Sequence, residues 1–406
     1  MAPKTVSAAR SASVFALCLF AWTLTNMDQA LFGYAIPGIL GEFQQPLQMI
    51  GTVLTISFIA AALLVVLAGL AADRWGRPLT LTLLLLLSAL AVGLQGVAAS
   101  FAMLTLLRAL GFGLSAGLSP ITNALVVESV SDRHRGVTVG LLQCGYPLGW
   151  FLASLAAAPL LTHYGWRAIC LIAFTVAPVA LLIGWLLGRC HSGDARVMPA
   201  AGYAGGPKLA LLFSPAYRVT SLSSMLMFFA FGGAYAGSAF FFPTFFTEAR
   251  GYSPGDAASL VGLSNGIGVF GYLAAALVGE YLLTRRVVFI LWCWGGAVAL
   301  LGLLWLSVGR DQDLWWYGVT AALFYGSQAV VLLLVAESYP AAIRATALAV
   351  CASAPLSLGF ALFPLLVPRA VAGLGWQSGL SVMVAPLLLL AGLAAYPLRV
   401  KSMTSV

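Results

Sequence analysis

Two charged side chains lie deep inside apolar segments of this 406-residue chain, where they could do chemistry. Asp28 is about sixteen residues into the first apolar segment, and Arg108 is in the middle of the fourth. If such a segment spans a membrane, placing an ionisable group at its centre costs at least about 2.5 kcal/mol of insertion free energy. Each of the two residues therefore needs a function or a partner. Removal from water penalises a carboxylate, which suits Asp28 to taking up and releasing a proton. The alternative is a hydrogen-bonded packing residue.

The guanidinium of Arg108 is always charged, and its planar fork suits a carboxylate or a phosphate. We therefore predict that Arg108 binds an anionic substrate, or that it pairs with Asp28 and modulates its proton affinity. A third interpretation is that the side chain extends along the helix to reach the outer membrane surface.

Uncharged polar side chains inside other apolar segments are candidates to line a cavity. Their alternative role is a hydrogen bond between helices. The candidates are Gln143 and Tyr146 in the first half of the chain, and Tyr235, Asn265, Tyr325 and Gln328 in the second half.

Small and aromatic residues predict how two of the segments pack. Glycines at 136, 140, 145 and 149 allow close helix contact. In the seventh segment, Gly232, Gly233 and Pro243 predict bending. The aromatic run 240–246 could line an apolar cavity, but we expect it mainly to face lipid.

Composition indicates the class of protein that holds these residues. The chain is 61% hydrophobic and 8% charged, whereas a soluble domain carries about 25% charge. The apolar runs are long and unbroken, which predicts an all-α membrane protein and disfavours a barrel of alternating strands. The net charge of +8 is scattered among loops, so we expect no nucleic-acid partner.

The spacing of the residues that usually carry catalysis predicts a protein that is not an enzyme. The six cysteines have no paired spacing, and the three histidines have no ligand spacing. No glycine-rich phosphate loop is followed by Lys and Ser or Thr, so ATP is not expected to drive the protein. We expect no metal and no cofactor.

Hydropathy predicts twelve membrane spans with both termini on one side. The spans are 12–39, 49–71, 79–97, 102–126, 137–160, 166–188, 217–246, 255–279, 287–308, 314–336, 346–367 and 377–397. Fifteen of the 20 Lys and Arg fall on the side of the termini and four fall on the other side. This bias predicts that both termini are cytoplasmic.

The spans divide into two repeated halves. Glu128 and Arg135 recur as Glu337 and Arg344 at an offset of about 209, and Arg77 maps to Arg286. We predict these domains: a cytoplasmic tail 1–11, a six-helix bundle 12–188, a cytoplasmic linker 189–216, a six-helix bundle 217–397 and a cytoplasmic tail 398–406.

The turn between the second and third spans carries a dense motif, Gly69-Leu-Ala-Ala-Asp73-Arg74-Trp-Gly76-Arg77. It resembles the G-x-x-x-D-R-x-G-R loop of the major facilitator superfamily. The resemblance implies two pseudo-symmetric six-helix bundles that rock about a midplane cavity. We predict a gate at the helix ends on the side of the termini, with interfacial anchoring as the alternative. Its residues are Asp73, Arg74, Gly76, Arg77, Glu128, Arg135, Glu337 and Arg344.

Asp28 followed by Pro37 resembles metabolite–proton symporters of that superfamily, which carry an acid and then a Pro on the first helix. Gly145-Tyr-Pro-Leu-Gly-Trp150 differs from the Gly-Pro-x-x-Gly-Gly of drug–proton antiporters and is closer to organic-acid symporters. The resemblance implies import of a small organic anion with protons, by a monomer in the bacterial inner membrane. The alternative is a drug–proton antiporter that exports apolar or cationic compounds.

Overall fold

The computed structural model describes residues 8–130, 135–191 and 207–398, and every regular element in these ranges is a helix. Residues 1–7 and 399–406 of the predicted tails, and 192–206 of the predicted linker, lie outside the described residues. The predicted domain boundaries stay predictions.

Seventeen α-helices are present in the described ranges. They are α1 (Ala8–Phe43), α2 (Leu47–Trp75), α3 (Arg77–Gln95), α4 (Phe101–Ala116), α5 (Leu118–Ser129), α6 (Arg135–Leu142), α7 (Gly145–Leu171), α8 (Val176–His191), α9 (Pro207–Leu212), α10 (Arg218–Ala236), α11 (Phe242–Glu248), α12 (Pro254–Tyr281), α13 (Arg285–Trp305), α14 (Arg310–Leu323), α15 (Gln328–Glu337), α16 (Ala341–Ala347) and α17 (Ala354–Ala395). Two 3-10 turns (Ile172–Thr175 and Tyr325–Ser327) and one π-helix (Leu348–Ser353) connect some of them.

Ten helical segments of the described chain are long and apolar enough to cross a membrane. Two of them span 56 and 54 residues, about twice the length that a bilayer requires. Each of these two segments contains one glycine whose backbone angles are not helical. These are Gly165, with φ of 75°, and Gly375, with φ of 79°. The helix axis breaks at these glycines, so each segment holds two crossings. The result is the predicted all-α membrane fold with twelve crossings.

Each half of the chain forms its own set of packed helices. In the first half, α1 packs on α5 and α7, α2 on α4, and α3 on α4 and α8. In the second half, α10 packs on α17, α12 on α14, and α13 on α14 and α17. The halves meet along two flanks, where α7 contacts α12 and α2 contacts α17.

The helix ends define two faces of the molecule. The Ser11 hydroxyl donates to the carbonyl oxygen of Ser129 in the first half, and Arg286 donates to that of Leu398 in the second half. A methyl group at Gly136, which begins the fifth crossing, would lie 3.2 Å from the side chain of Arg285, so these helix ends of the two halves lie together. We call this the terminal end, and the opposite end, which holds the loops after α1 and α3, the distal end.

Several crossings contain a short turn that interrupts the α-helical hydrogen bonding while the backbone angles stay helical. Such helix breaks lie at Gly117 in the fourth crossing, at Gln143 and Cys144 in the fifth, and at Tyr325–Ser327 in the tenth. The eleventh contains the π-helix.

The seventh crossing overturns one expectation from the sequence and shows the predicted bending beside Pro243, beyond the two glycines. Every residue from Ala230 to Phe246 is buried, so the expectation that the aromatic run 240–246 faces lipid is wrong. The helix stops at Ala236 and resumes at Phe242. Gly232 and Gly233 lie inside α10. Their missing side chains let α17 approach closely, because a methyl group at Gly233 would lie 2.4 Å from the ring of Phe363.

Candidate functional site

Asp28 and Arg108 are both enclosed by the protein. Asp28 lies on α1 with 1% of its surface exposed, and Arg108 lies on α4 with 0% exposed. Within the described residues, neither carboxyl oxygen of Asp28 has a hydrogen-bond partner, and the Nε and Nη2 atoms of Arg108 also lack one. Buried polar atoms are nearly always satisfied, so these two ionisable groups are exceptions within the apolar bundle and stay the candidates for its functional site.

Aromatic rings surround the guanidinium of Arg108. Its central carbon lies 4.1 Å from the ring centroid of Phe32, 5.0 Å from that of Phe112 and 5.8 Å from that of Phe240. Rings at such distances attract a cation through their negative faces. Phe32 follows Asp28 by four residues, so the two side chains share one face of α1. The carboxyl group and the guanidinium therefore lie near the same ring without being paired.

Two glycines of α7 hold α1 in place beside Asp28. A methyl group added at Gly149 would lie 2.6 Å from the carbonyl oxygen of Thr23 and 2.7 Å from the backbone nitrogen of Met27. One added at Gly145 would lie 2.7 Å from the ring of Trp22. Only a residue without a side chain permits this approach.

The other two glycines of the series serve a different contact. Gly136 faces the side chains of Arg285 and Glu280, and Gly140 faces Ala276, all in the second half. The four predicted small residues therefore divide between packing inside the first half and packing between halves.

Three predicted tyrosines meet at the centre of the molecule. The ring centroids of Tyr146 and Tyr235 are 5.3 Å apart, those of Tyr235 and Tyr325 are 5.4 Å apart, and those of Tyr146 and Tyr325 are 6.3 Å apart. Tyr146 comes from α7, and the other two come from the second half. This cluster joins the halves at the level of the helix breaks.

Sequence reasoning missed Tyr34 and Trp150, which connect the tyrosine cluster to α1. The hydroxyl of Tyr34 donates to the carbonyl oxygen of Trp150 at 2.9 Å. The Trp150 ring lies 6.1 Å from that of Tyr146. Trp150 follows Tyr146 by four residues, and this helical spacing was the signal that could have identified it.

The predicted polar candidates differ in their surroundings. Gln143 and Gln328 lie at helix breaks and are half-buried, and Oε1 of Gln328 lacks a partner in the described residues. Asn265 is buried on α12, where its Nδ2 atom donates to the carbonyl oxygen of Val261 at 2.8 Å. The amide nitrogen of Asn265 is therefore already used within its own helix.

The predicted gate residues form separate clusters at the terminal end. In the first half, Arg77 forms an ion pair with Glu128, Arg135 donates to the carbonyl oxygen of Val127 at 3.1 Å, and Asp73 and Arg74 are exposed. Gly76 ends α2 with φ of 87°, a conformation that glycine adopts without strain.

In the second half, Arg285 takes the position that the repeat assigned to Arg286. Arg285 forms ion pairs with both Glu280 and Glu337. Arg286 donates instead to the carbonyl oxygens of Tyr396 and Leu398. The reason is helix register, because Arg77 is the first residue of α3 and Arg285 is the first residue of α13.

Among the described residues, Arg344 has no ion pair with Glu280 or Glu337. Its side chain is exposed, and its Nε and Nη2 atoms approach the carbonyl oxygen of Tyr339 at 3.4 Å. The ion pairs of Arg77 and Arg285 thus form two local clusters in the described residues, and Arg285 is a member that the sequence analysis did not name. The gate stays a prediction.

The sequence matches the Major Facilitator Superfamily over residues 18–354, which is most of the chain. It is similar to a solved bacterial homologue of the human lysosomal transporter Spinster in an inward-facing and occupied conformation. The TM-score is 0.68 at 17% identity, with 96% of each chain covered. This likeness shows a shared fold.

Several relatives are transporters. The sequence is 30% identical over 229 residues to the probable 4-methylmuconolactone transporter of Cupriavidus pinatubonensis, covering 55% of this chain and 52% of that protein, so it spans about half of that relative. It is 27% identical over 394 residues to the gallate transporter of Pseudomonas putida, covering 89% and 86%. It is 28% identical over 398 residues to the 3-(3-hydroxy-phenyl)propionate transporter of Escherichia coli, covering 96% and 94%.

Proposed function

Because the chain belongs to the major facilitator superfamily of membrane transporters, we propose that it imports a small organic carboxylate together with protons by alternating access. The observation that carries the proposal is the buried guanidinium of Arg108, whose Nε and Nη2 atoms lack protein partners in the described residues. Nε and Nη2 form one edge of the guanidinium plane. That edge matches the two oxygens of a carboxylate, which it can hold through two parallel hydrogen bonds.

The body of the substrate would meet aromatic surfaces. Phe32, Phe112 and Phe240 lie around the guanidinium, and the Tyr146, Tyr235 and Tyr325 cluster lies beyond Trp150. An aromatic or flat apolar acid fits such a lining, because rings pack edge to face with one another. The named substrates of two relatives, gallate and 3-(3-hydroxyphenyl)propionate, are acids of this kind.

Asp28 would carry the proton, and charge balance explains why proton and anion would move together. With the site empty, ionised Asp28 and Arg108 sum to zero. With a monoanion on Arg108, the sum returns to zero only if Asp28 is protonated. Moving net charge through a low-dielectric interior is costly, so both mobile forms would be neutral. The proposal therefore includes one proton for each monoanion that is carried.

An inward proton gradient would drive the anion inward, since the two are proposed to move together. Lys and Arg concentrate in the loops on the side of the termini, which supports a cytoplasmic terminal end and an external distal end. We propose a location in the bacterial inner membrane and function as a monomer, with the ionic clusters of Arg77 and Arg285 acting as the inner gate.

Transport by purified protein in liposomes tests the proposal. With an inward proton gradient, we expect uphill uptake of an aromatic carboxylate that Asp28→Asn abolishes, while exchange of labelled for unlabelled substrate survives. Asp256→Asn is the matched control, because Asp256 lies at the distal surface, half-exposed beside Arg310. Accumulation by Asp28→Asn equal to that of the unmodified protein would remove the coupling role.

A second assay separates import from the drug–proton antiporter alternative. The chain is overexpressed in a strain that lacks its main efflux pumps, and growth is measured with cationic dyes. The import proposal predicts no gain of resistance. A clear gain, without uptake of any carboxylate in liposomes, would favour export.

A further inference from the structure

Phe240 lies in the stretch of backbone that interrupts the seventh crossing. The helix ends at Ala236, and residues 237–241 form turns before α11 begins at Phe242. Gly237 permits this break beside α17, because a methyl group there would lie 2.9 Å from the side chain of Val367. Phe240 is 1% exposed. Its position is therefore set by irregular backbone that belongs to the second half.

The side chain of Phe240 is inserted between helices of the first half. Its ring centroid lies 6.0 Å from that of Trp150, 6.2 Å from that of Phe58 and 6.5 Å from that of Phe112. A methyl group at Gly33 would lie 3.9 Å from the Phe240 ring. These residues come from α7, α2, α4 and α1, so four helices of one half surround one side chain of the other. We call this set the Phe240 socket.

The socket lies directly against the anion site. The guanidinium carbon of Arg108 is 5.8 Å from the centroid of Phe240 and 5.0 Å from that of Phe112. Gly33 is needed for this arrangement, because a methyl group there would lie 3.0 Å from the Trp150 ring. The ring therefore covers the guanidinium from the side of the second half.

The neighbouring aromatic residues Phe242 and Phe245 have different ring partners from Phe240. The ring of Phe242 lies 4.4 Å from that of Tyr317, and it also contacts Phe245 and Phe246. The ring of Phe245 lies 6.0 Å from that of Trp376. All of these ring partners belong to the second half, although α11 as a whole also packs against α1. Phe240 is therefore distinguished from Phe242 by its ring contacts across the interface, while both are buried phenylalanines of the same segment.

We propose that Phe240 is the gating residue that closes the distal route to Arg108. Rocking of the two halves must withdraw the ring from its socket, because the ring moves with the second half and the socket moves with the first. With the ring withdrawn, Arg108 faces the distal side and can receive an anion. With the ring inserted, the guanidinium is covered and the aromatic contacts hold the halves together.

This gate rests on the proposed function in one respect, since it matters for transport only if Arg108 binds the transported anion. Its geometry has a consequence that needs no substrate. Shortening Phe240 should expose Arg108 to a reagent added from the distal side, because the closed arrangement loses the contacts that favour it.

Chemical modification of Arg108 tests the gate. Right-side-out vesicles are treated with 4-hydroxyphenylglyoxal, an arginine reagent that crosses membranes slowly, and modified peptides are quantified by mass spectrometry. Modification of Arg167, which is partly exposed at the distal end, serves as the internal reference. We expect Phe240→Ala to raise the rate at Arg108 by about tenfold, Phe240→Leu to raise it less, and Phe240→Tyr to leave it within about twofold.

Phe242→Ala is the matched control, and we expect no rise at Arg108 even if its melting temperature falls. Equal rates for Phe240→Ala and Phe242→Ala would overturn the gate. If Phe240→Ala does not fold, Phe240→Leu decides: an unchanged rate at Arg108 overturns the proposal. The unmodified protein could fail to take up any carboxylate while Phe240→Ala still raises the modification rate at Arg108. That result would reject the proposed substrate and leave the gate standing.

Discussion

The guanidinium of Arg108 lies 4.1 Å above the ring of Phe32, which is four residues beyond Asp28 on the same helix. The ring that contacts the guanidinium shares one face of α1 with Asp28, although no hydrogen bond from the described residues reaches the carboxyl oxygens of Asp28. The ring contacts stabilise the cation without any conventional acceptor at Nε or Nη2, which have no hydrogen-bond partner in the described residues. This arrangement can keep a charged group ready for a ligand inside an apolar bundle.

Replacing Arg108 tests the anion site. Arg108→Lys keeps the charge but removes the planar edge that matches a carboxylate. We expect the affinity for an aromatic carboxylate to fall about tenfold to a hundredfold, the equivalent of losing one charge-assisted hydrogen bond. The measurement is isothermal titration of the purified protein. Arg369→Lys is the control, because Arg369 donates to a carbonyl oxygen of its own helix and its side chain is exposed. Unchanged affinity in Arg108→Lys would place the anion elsewhere.

The contact of α7 with α1 should tolerate no added side chain. Gly149→Ala brings a methyl group within 2.7 Å of Asn26 and Met27, next to Asp28. We expect a loss of about 1–3 kcal/mol, typical of an overpacked site, and a lower melting temperature. Gly188→Ala on α8 is the matched control, since nothing lies within 4 Å of the added methyl group. Alanine favours a helix, so this control should be neutral or stabilising. Equal melting temperatures for both variants would show that α7 and α1 can separate.

Arg285 and Arg286 should differ in their coupling to Glu337. Arg285 pairs with Glu337 and Glu280, whereas Arg286 bonds to backbone carbonyl oxygens. In a double-mutant cycle of Arg285→Gln with Glu337→Gln, we expect a coupling energy of up to about 1 kcal/mol, because the pair is partly exposed. The cycle of Arg286→Gln with Glu337→Gln should give a coupling near zero. The measurement is thermal unfolding in detergent at low salt, and coupling to Arg286 instead would restore the register expected from the repeat.

Hydropathy, turn chemistry and charge segregation are local properties, and they allowed the sequence to predict the class of fold and the number of crossings. The same local patterns identified Asp28 and Arg108, because a charge inside a long apolar run is visible without knowledge of any neighbour. The glycines at 145 and 149 were also visible as contact positions. The partners of those glycines were not, since α1 and α7 meet across more than a hundred residues of chain.

The sequence by itself determined which segments enter the membrane and which of them carry costly charges, because each segment must satisfy its own backbone within the bilayer. Only the tertiary structure decided that Phe240 faces Arg108, with its ring away from lipid, and that Arg285 is the arginine that meets Glu337. Both choices depend on how a helix is rotated about its axis and where it breaks. A rotation of one residue, about 100°, moves a side chain to another face, and the apolar pattern of a membrane helix does not distinguish a lipid neighbour from a protein neighbour.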